Sequence, residues 1–242
     1  MTLSDKITKW IKDYAKEHKI KTLVVGISGG IDSSVVSTLC AKTGLPVYAV
    51  SMPIAQLSEQ HDLSIAHGEW LTNKFMNVEH LIIDLDKTYD RFYLDMLHID
   101  MDNELALANT KSRLRMVTLH HISGANRGIV VGTGNKVEDF GVGFYTKYGD
   151  GGVDISPIAD LYKSEVWDLG RELGVMQEII DAEPTDGLWE DGRTDKDQLG
   201  GLTYEQMEEA MKDPNSKHRD KYNKIRSQNL HKMKPIPVYK NE

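Results

Sequence analysis

The chain carries a single cysteine, Cys40, which excludes an intrachain disulfide and any Cys-cluster metal site. No apolar run approaches ~18 residues, and the first residues lack the apolar core of a secretion signal, so a soluble cytoplasmic protein is expected. Positive charge is also scarce. With 29 Lys and Arg against 37 Asp and Glu, the formal charge is −8, which gives no global field for nucleic acid. An anionic ligand would need a local basic pocket. Repeats, low-complexity tracts and proline-rich linkers are absent too, so the 242 residues read as one domain, 1–242.

What is present alternates. Leu3, Ile7, Trp10, Ile11 and Tyr14 recur at helical spacing, which predicts an amphipathic helix over 4–18. Strand-like runs follow at 21–27, 46–51, 79–85 and 129–132, separated by helical patterns at about 31–43, 57–74 and 103–123. Short β-rich runs between longer helical ones predict an α/β fold, a parallel sheet with helices on both faces. Ligands of such sheets sit at the carboxyl ends of the strands. The two glycine-rich exits, after residues 27 and 132, are therefore the places to look.

The first exit reads VVGISGGIDSSVV, residues 24–36. Glycines after a strand let backbone N–H groups approach an anion, and the helix beginning near Ile31 aims its positive end at the same point. A glycine pair alone could be a tight turn that binds nothing. Asp32 shifts the balance, because a carboxylate inside an anion cradle is unfavourable unless a cation such as Mg²⁺ joins it to phosphates. The G-K-[ST] ending of a Walker loop is missing, which makes ordinary γ-phosphate transfer the weaker reading.

Ser28-Gly29-Gly30-Ile31-Asp32-Ser33 resembles the S-G-G-x-D-S loop of the ATP pyrophosphatases, which cleave ATP to AMP and pyrophosphate while adenylating a substrate oxygen. The loop does not choose among the members of that superfamily. Residues 130–175, containing T-K-Y-G-D-G-G-x-D, together with Glu183-Pro184-Thr185 and His231-Lys232-Met233-Lys234, are similar in order and spacing to the ammonia-dependent NAD synthetase family. The resemblance implies an adenine nucleotide alpha hydrolase-like, Rossmann-like fold. It also implies amidation of deamido-NAD by ammonia at the expense of ATP, through an adenylated intermediate, with Mg²⁺ as cofactor, in a homodimer.

Site residues follow from that resemblance position by position. ATP would be bound by Gly26, Ile27, Ser28, Gly29, Gly30, Ile31, Asp32, Ser33, Thr133, Lys163 and Thr185. Asp32 and Glu138 would hold the metal, the neighbouring Asp139 being a competitor that could simply be solvated. Arg113, Lys147, Asp154, His231 and Lys232 match positions that hold deamido-NAD; Arg115, two residues from Arg113, cannot share its helix face and could be a surface ion-pair residue.

Two residues are expected to act on the reacting groups. Asp150 would attract ammonium and take its proton, since only free ammonia has the lone pair to attack. Lys163 would stabilise charge at the α-phosphate, unless it is merely a helix-start lysine facing water. Cys40, among Val35, Val36, Leu39 and Ala41, is expected in the core. The ATP loop begins after some two dozen residues, too few for the amidase domain of glutamine-dependent relatives, so ammonia is the expected nitrogen source.

One segment departs from the family. Its acidic D-E-x-E-L-G string is here Asp195-Lys196-Asp197-Gln198-Leu199-Gly200, so carboxylate contacts at 196 and 198 do not carry over. Residues 184–201, rich in glycine and charge, are expected to be a lid ordered mainly by ligand. The competing class is a nucleotide-binding sensor without turnover, against which Asp32, Glu138, Asp150 and Lys163 argue.

Overall fold

The computed structural model describes residues 1–54, 58–99, 103–189 and 191–241, the side chains of 58–60 apart. The chain runs α1 (Leu3–Glu17), β1 (Thr22–Gly26), α2 (Ile31–Lys42), β2 (Val47–Ser51), α3 (Ser58–Lys74), β3 (Val78–Ile82), α4 (Asp86–Leu97), α5 (Glu104–Ala125) and β4 (Gly128–Val130). A π-helical segment (Val137–Val142) follows, then α6 (Lys163–Leu173), α7 (Gln177–Asp181), α8 (Asp195–Gln198), α9 (Tyr204–Lys212) and α10 (Arg219–Met233). All four strands are parallel, in the order β3-β2-β1-β4.

Strand alternation sorts the core into layers. Leu23, Val25, Val47 and Ile129 pack with Ile11 of α1, Val35 and Leu39 of α2, and Val166 and Leu169 of α6. Val24, Val50 and Val130 point the other way, onto Met116, Leu119 and Ile122 of α5. The period-2 pattern thus buries both faces of the sheet, as a parallel sheet requires. A separate cluster joins Val137 and Val142 of the π-helical segment to Leu199, Leu202, Tyr204, Met207 and Tyr222. Cys40 is fully buried in the main core, and burial pushes its thiol up to about 12.

The first four expected strands and helices exist with shifted ends, and residue 57, the expected start of α3, lies outside the described residues. β3 stops at Ile82 rather than 85. Beyond it the chain stays bonded to its neighbour through Ile83 N to Ser51 O (2.9 Å) and Leu85 N to Pro53 O (3.1 Å), while Asp84 already accepts from Asp86 N (2.8 Å) at the start of α4. α5 begins at Glu104 because Asn103 caps it, accepting from Ala106 N at 3.0 Å. Among the described residues, no helix is long and apolar enough to cross a membrane.

Candidate active site

The carboxyl ends of β1 and β4 open onto a cavity of about 970 Å³, at the upper end of the range for ligand pockets. Its floor is the glycine loop. Gly29 takes a φ of +86°, a left-handed conformation that favours glycine, and turns the chain into α2 with no side chain capping the helix. The first amides of a twelve-residue helix therefore face the cavity. The serines brace the loop: Ser33 Oγ accepts from Ser28 N (3.1 Å) and donates to Gly30 O (3.0 Å), which also accepts from Ser34 Oγ (2.9 Å). From below, Ser64 Oγ donates to Ile27 O (2.8 Å) and pairs with Ser51, which pairs with His80.

A cluster of acids stands beside the loop. Lys163, the first residue of α6, is 2% exposed, and its Nζ donates to Asp32 Oδ2 and to Glu138 Oε1 (3.3 Å). Burial alone would lower the lysine pKa, but the two carboxylates outweigh it and keep the ammonium charged. The lysine thus neither faces water nor stands free. It ties together the two expected metal ligands. Asp32 Oδ1 accepts from Asn135 Nδ2 at 3.2 Å, and Glu138 Oε1 also accepts from Tyr204 Oη at 2.6 Å.

The same Tyr204 hydroxyl lies 2.7 Å from Asp195 Oδ2. One phenol hydrogen serves only one acceptor, so one carboxyl must supply a second hydrogen. Burial, with the Glu138 charge adding to it, pushes Asp195 up to about 7, which suits it to carry that hydrogen near neutral pH. Its Oδ1 is buried without a partner. Asp139 is not merely solvated. Its carboxylate lies so close to Gly134 that a Cβ there would meet Oδ1 at 2.2 Å, and burial pushes it up to about 7.

Opposite, α5 meets the glycine-rich turn of residues 145–154. Asp150 Oδ1 accepts from Ser112 Oγ (2.6 Å) and Thr146 N (3.0 Å), and its own amide donates to Ser112 Oγ (2.9 Å). Gly149 permits this grip, since a Cβ would lie 2.2 Å from Ser112 Oγ. Asp150 opens to the cavity, yet the surrounding protein raises its carboxyl above the usual range despite these bonds. Lys232, in the last turn of α10, donates to Tyr145 O (2.7 Å).

The structure brings Gly26 to Ser33, Arg113, Thr133, Glu138, Lys147, Asp150, Lys163, Thr185, His231 and Lys232 into one cavity wall. Asp154 stands apart from that wall and accepts from Val130 N at 2.7 Å, so it ties the end of the 145–154 turn to β4. Arg113 is exposed at the rim, with Nε donating to Lys147 O (3.3 Å), whereas Arg115 points inward and donates to Met52 O (3.0 Å). Thr185 is engaged within its own segment, donating to Arg193 O (3.2 Å) and accepting from Gly187 N (3.2 Å).

Tyr204, Ser112 and Asn135 are site residues that sequence reasoning missed. Tyr204 follows the helix cap Thr203, whose bond with Gln206 N marks the start of α9, but nothing local ties its ring to Glu138. Of residues 184–201, Pro184 to Trp189, Arg193, Asp195 and Gln198 line the cavity, Glu190 lying outside the described residues. Lys111 Nζ reaches Leu188 O (3.2 Å), Trp189 Nε1 donates to Gln198 Oε1 (2.8 Å), and Leu199 is buried beneath. At 198 the Gln198 oxygen accepts the Trp189 bond as a carboxylate would, but without the charge, and its Nε2 is buried without a partner.

Comparison with known proteins gives the family. The NAD synthase family model matches residues 3–240. The chain belongs to the NAD synthase family. It is 36% identical to an NH(3)-dependent NAD(+) synthetase of Finegoldia magna, over 96% of this chain and 93% of that one. Its structure is similar to an NMN synthetase from Francisella tularensis (TM-score 0.89, 32% identity, 98% and 97% of the two chains covered). It is also similar to an NH3-dependent NAD synthetase from Campylobacter jejuni (TM-score 0.75, 27% identity, 98% and 97% covered). The protein is thus a ligase that forms a carbon–nitrogen bond.

The buried acids of this NAD synthase set a pH dependence. A carboxyl whose folded pKa of about 7 exceeds its unfolded value contributes stability that is full below about pH 4 and lost as pH rises through about 7. Asp195→Asn removes one such titration. Urea unfolding without nucleotide should show a shallower loss of stability between about pH 4 and about pH 8 for the variant than for the parent. Identical pH slopes would contradict a proton stored on Asp195.

Proposed function

We propose that the cavity carries out the family's chemistry with ATP phosphates on the glycine loop and the nicotinate carboxylate facing Asp150. The reaction itself is ATP-dependent amidation of deamido-NAD by ammonia through an adenylated intermediate, giving NAD, AMP and pyrophosphate. The observation that carries the reading is the buried ammonium of Lys163, which joins the loop's Asp32 to Glu138 at the open end of α2.

The residues divide the work. Backbone amides of Gly29 and of Ile31 to Ser33, the Ser28 and Gly30 amides being engaged by the loop's own serines, hold with the α2 dipole the pyrophosphate that will leave. Thr133 and Thr185 line the nucleotide's side of the cavity, with Lys163 stabilising charge beside them. Arg113, Lys147, His231 and Lys232 hold the acceptor's phosphates and sugars, and Asp154 supports them by fixing the 145–154 turn to β4. Asp150 attracts ammonium and accepts its proton, so that ammonia is released beside the activated carbonyl. Its raised pKa makes it a stronger base than a solvated aspartate.

The acid set fits magnesium. Asp32 and Glu138 offer hard oxygen donors, and the orphaned Asp195 Oδ1 lies next to them through Tyr204. Among the described residues no three acids, histidines or cysteines converge as a complete metal cage, so the remaining ligands would come from phosphate and water, as is usual for this ion. When bound, magnesium neutralises the phosphates and makes pyrophosphate a better leaving group.

The wider reading is a cytoplasmic homodimer with a lid at about 184–201. Phe92, Leu94 and Leu97 of α4 and Leu105 and Val117 of α5 are exposed apolar side chains and suit a subunit contact. Light scattering should give about twice the 27.3 kDa chain mass, and a monomer's mass would remove the dimer.

A second acceptor is favoured by one observation: backbone agreement is better with the Francisella NMN synthetase than with the Campylobacter NAD synthetase. The acid precursor of a mononucleotide presents the same nicotinate carboxylate. Incubation with ATP, Mg²⁺, ammonium and equal amounts of deamido-NAD and nicotinate mononucleotide, read by mass, tests both readings. NAD and AMP are expected; NMN as the main product would transfer the function to the smaller acceptor, and neither product would refute the assignment. In the same assay Asp32→Asn should cut pyrophosphate release by roughly two orders of magnitude. Near-normal release by the folded variant would remove Asp32 from the metal site.

Lid closure makes a separate expectation. Gly187, Gly192, Gly200 and Gly201 all hold positive φ, and few apolar side chains besides Leu199 anchor the segment. Amides of 184–201 should exchange quickly without ligand and slowly with ATP and dinucleotide bound. Equal protection in both states would make the segment ordinary scaffold.

A further inference from the structure

Arg115 stands in the cavity wall with a donor that the fold leaves unused. Its Nε donates to Met52 O (3.0 Å) just beyond the end of β2, but Nη2 is buried and has no hydrogen-bond partner. A buried guanidinium N–H without an acceptor is unfavourable, and native structures tolerate it chiefly where a ligand completes it. Asp186 and Asp150 bias the group electrostatically, yet among the described residues no carboxylate makes an ion pair with it. Burial lowers its pKa to about 10, which still leaves it charged at neutral pH.

Its neighbours define where a ligand would sit. Ser112, three residues earlier on α5 and so on the same face, holds Asp150. Met52 leans on the start of the glycine loop, its Cε 3.3 Å from where a Cβ on Gly26 would be. Arg115 therefore lies between the ammonia-side carboxylate and the nucleotide loop. Of the other cations of the wall, Lys163 is held by Asp32 and Glu138, Arg193 by Asp191, and Lys232 by Tyr145 O, while Arg113 stands exposed at the rim beside Lys147.

We propose that Arg115 binds a substrate oxyanion in this cavity, either an ATP phosphate or the acceptor's carboxylate, through the guanidinium nitrogen left free by Met52. Guanidinium suits this place because one edge can grip the backbone carbonyl while the other presents N–H groups to a planar or tetrahedral oxyanion. Anchored to Met52, the group needs no rearrangement when the oxyanion arrives. The inference rests on the functional reading above and adds to it a substrate contact supplied by α5.

Calorimetry on the full chain with ATP alone and with deamido-NAD alone separates the two sources. Arg115→Ala should weaken one of them roughly tenfold or more, with a matching rise in that substrate's KM. Loss confined to ATP identifies a phosphate, and loss confined to deamido-NAD identifies the carboxylate. Arg115→Lys keeps the charge and a bond to Met52 O, guards against misfolding, and should still bind more weakly than the parent. Free guanidinium, far below denaturing concentrations, should restore part of the affinity of Arg115→Ala and none of that of Arg115→Lys. Affinities and kcat/KM unchanged in folded Arg115→Lys, or in Arg115→Ala whatever its melting temperature, would overturn the proposal and leave Arg115 a brace for Met52. If the parent binds neither ligand, the functional reading falls and the inference with it.

Discussion

The ammonium of Lys163, buried between Asp32 and Glu138, is the interaction on which the site depends. It joins the first turn of α2 to the π-helical segment through the start of α6, across sequence separations of 131 and 25 residues. Such a pair adds little net stability, because desolvation offsets most of the attraction, but it fixes geometry: each carboxylate left without the lysine would be a costly buried charge. The helix carrying the nucleotide loop and the segment carrying the remaining acids are thereby held in one arrangement. Tyr204 extends the tie to α9 and to Asp195, which brings the covering segment into the same network.

This arrangement crowds buried acids around the cavity. Asp32, Glu138, Asp139, Asp150, Asp186 and Asp195 all line it, and several are pushed up by burial and by one another. ATP and deamido-NAD bring further negative charge. The acids nearest the loop therefore call for a divalent cation, whereas Asp150, separated from them on the Ser112 side, is placed to draw in ammonium. One electrostatic deficit thus serves two purposes at opposite ends of the cavity.

Much of this was legible in the sequence, for physical reasons that differ by element. β1 announces itself because its apolar run ends abruptly in glycine, β2 because its run ends at Met52-Pro53, and the glycine exit implied the loop's role before any coordinate. α4 was not expected, although Tyr89, Phe92, Tyr93 and Met96 recur at helical spacing in Asp86–Leu97; it buries no side chain completely. The π-helical segment has no repeat to read. Resemblance put Lys163 in the ATP site but could not show that it pairs with Asp32, because that contact exists only after the sheet has assembled. Arg115 shows the same limit: helical spacing correctly separated it from Arg113, yet which of the two faces inward is decided by packing against Met52.

The tie itself can be measured. Lys163→Met keeps the length of the side chain and removes its charge, so Asp32 and Glu138 stay buried without their partner. Without nucleotide, the variant should lose about 3–5 kcal/mol of unfolding free energy, and adding Asp32→Asn should return part of that loss by removing one uncompensated carboxylate. A Lys163→Met chain as stable as the parent, or two losses that simply add, would show that the ammonium does not hold the site together.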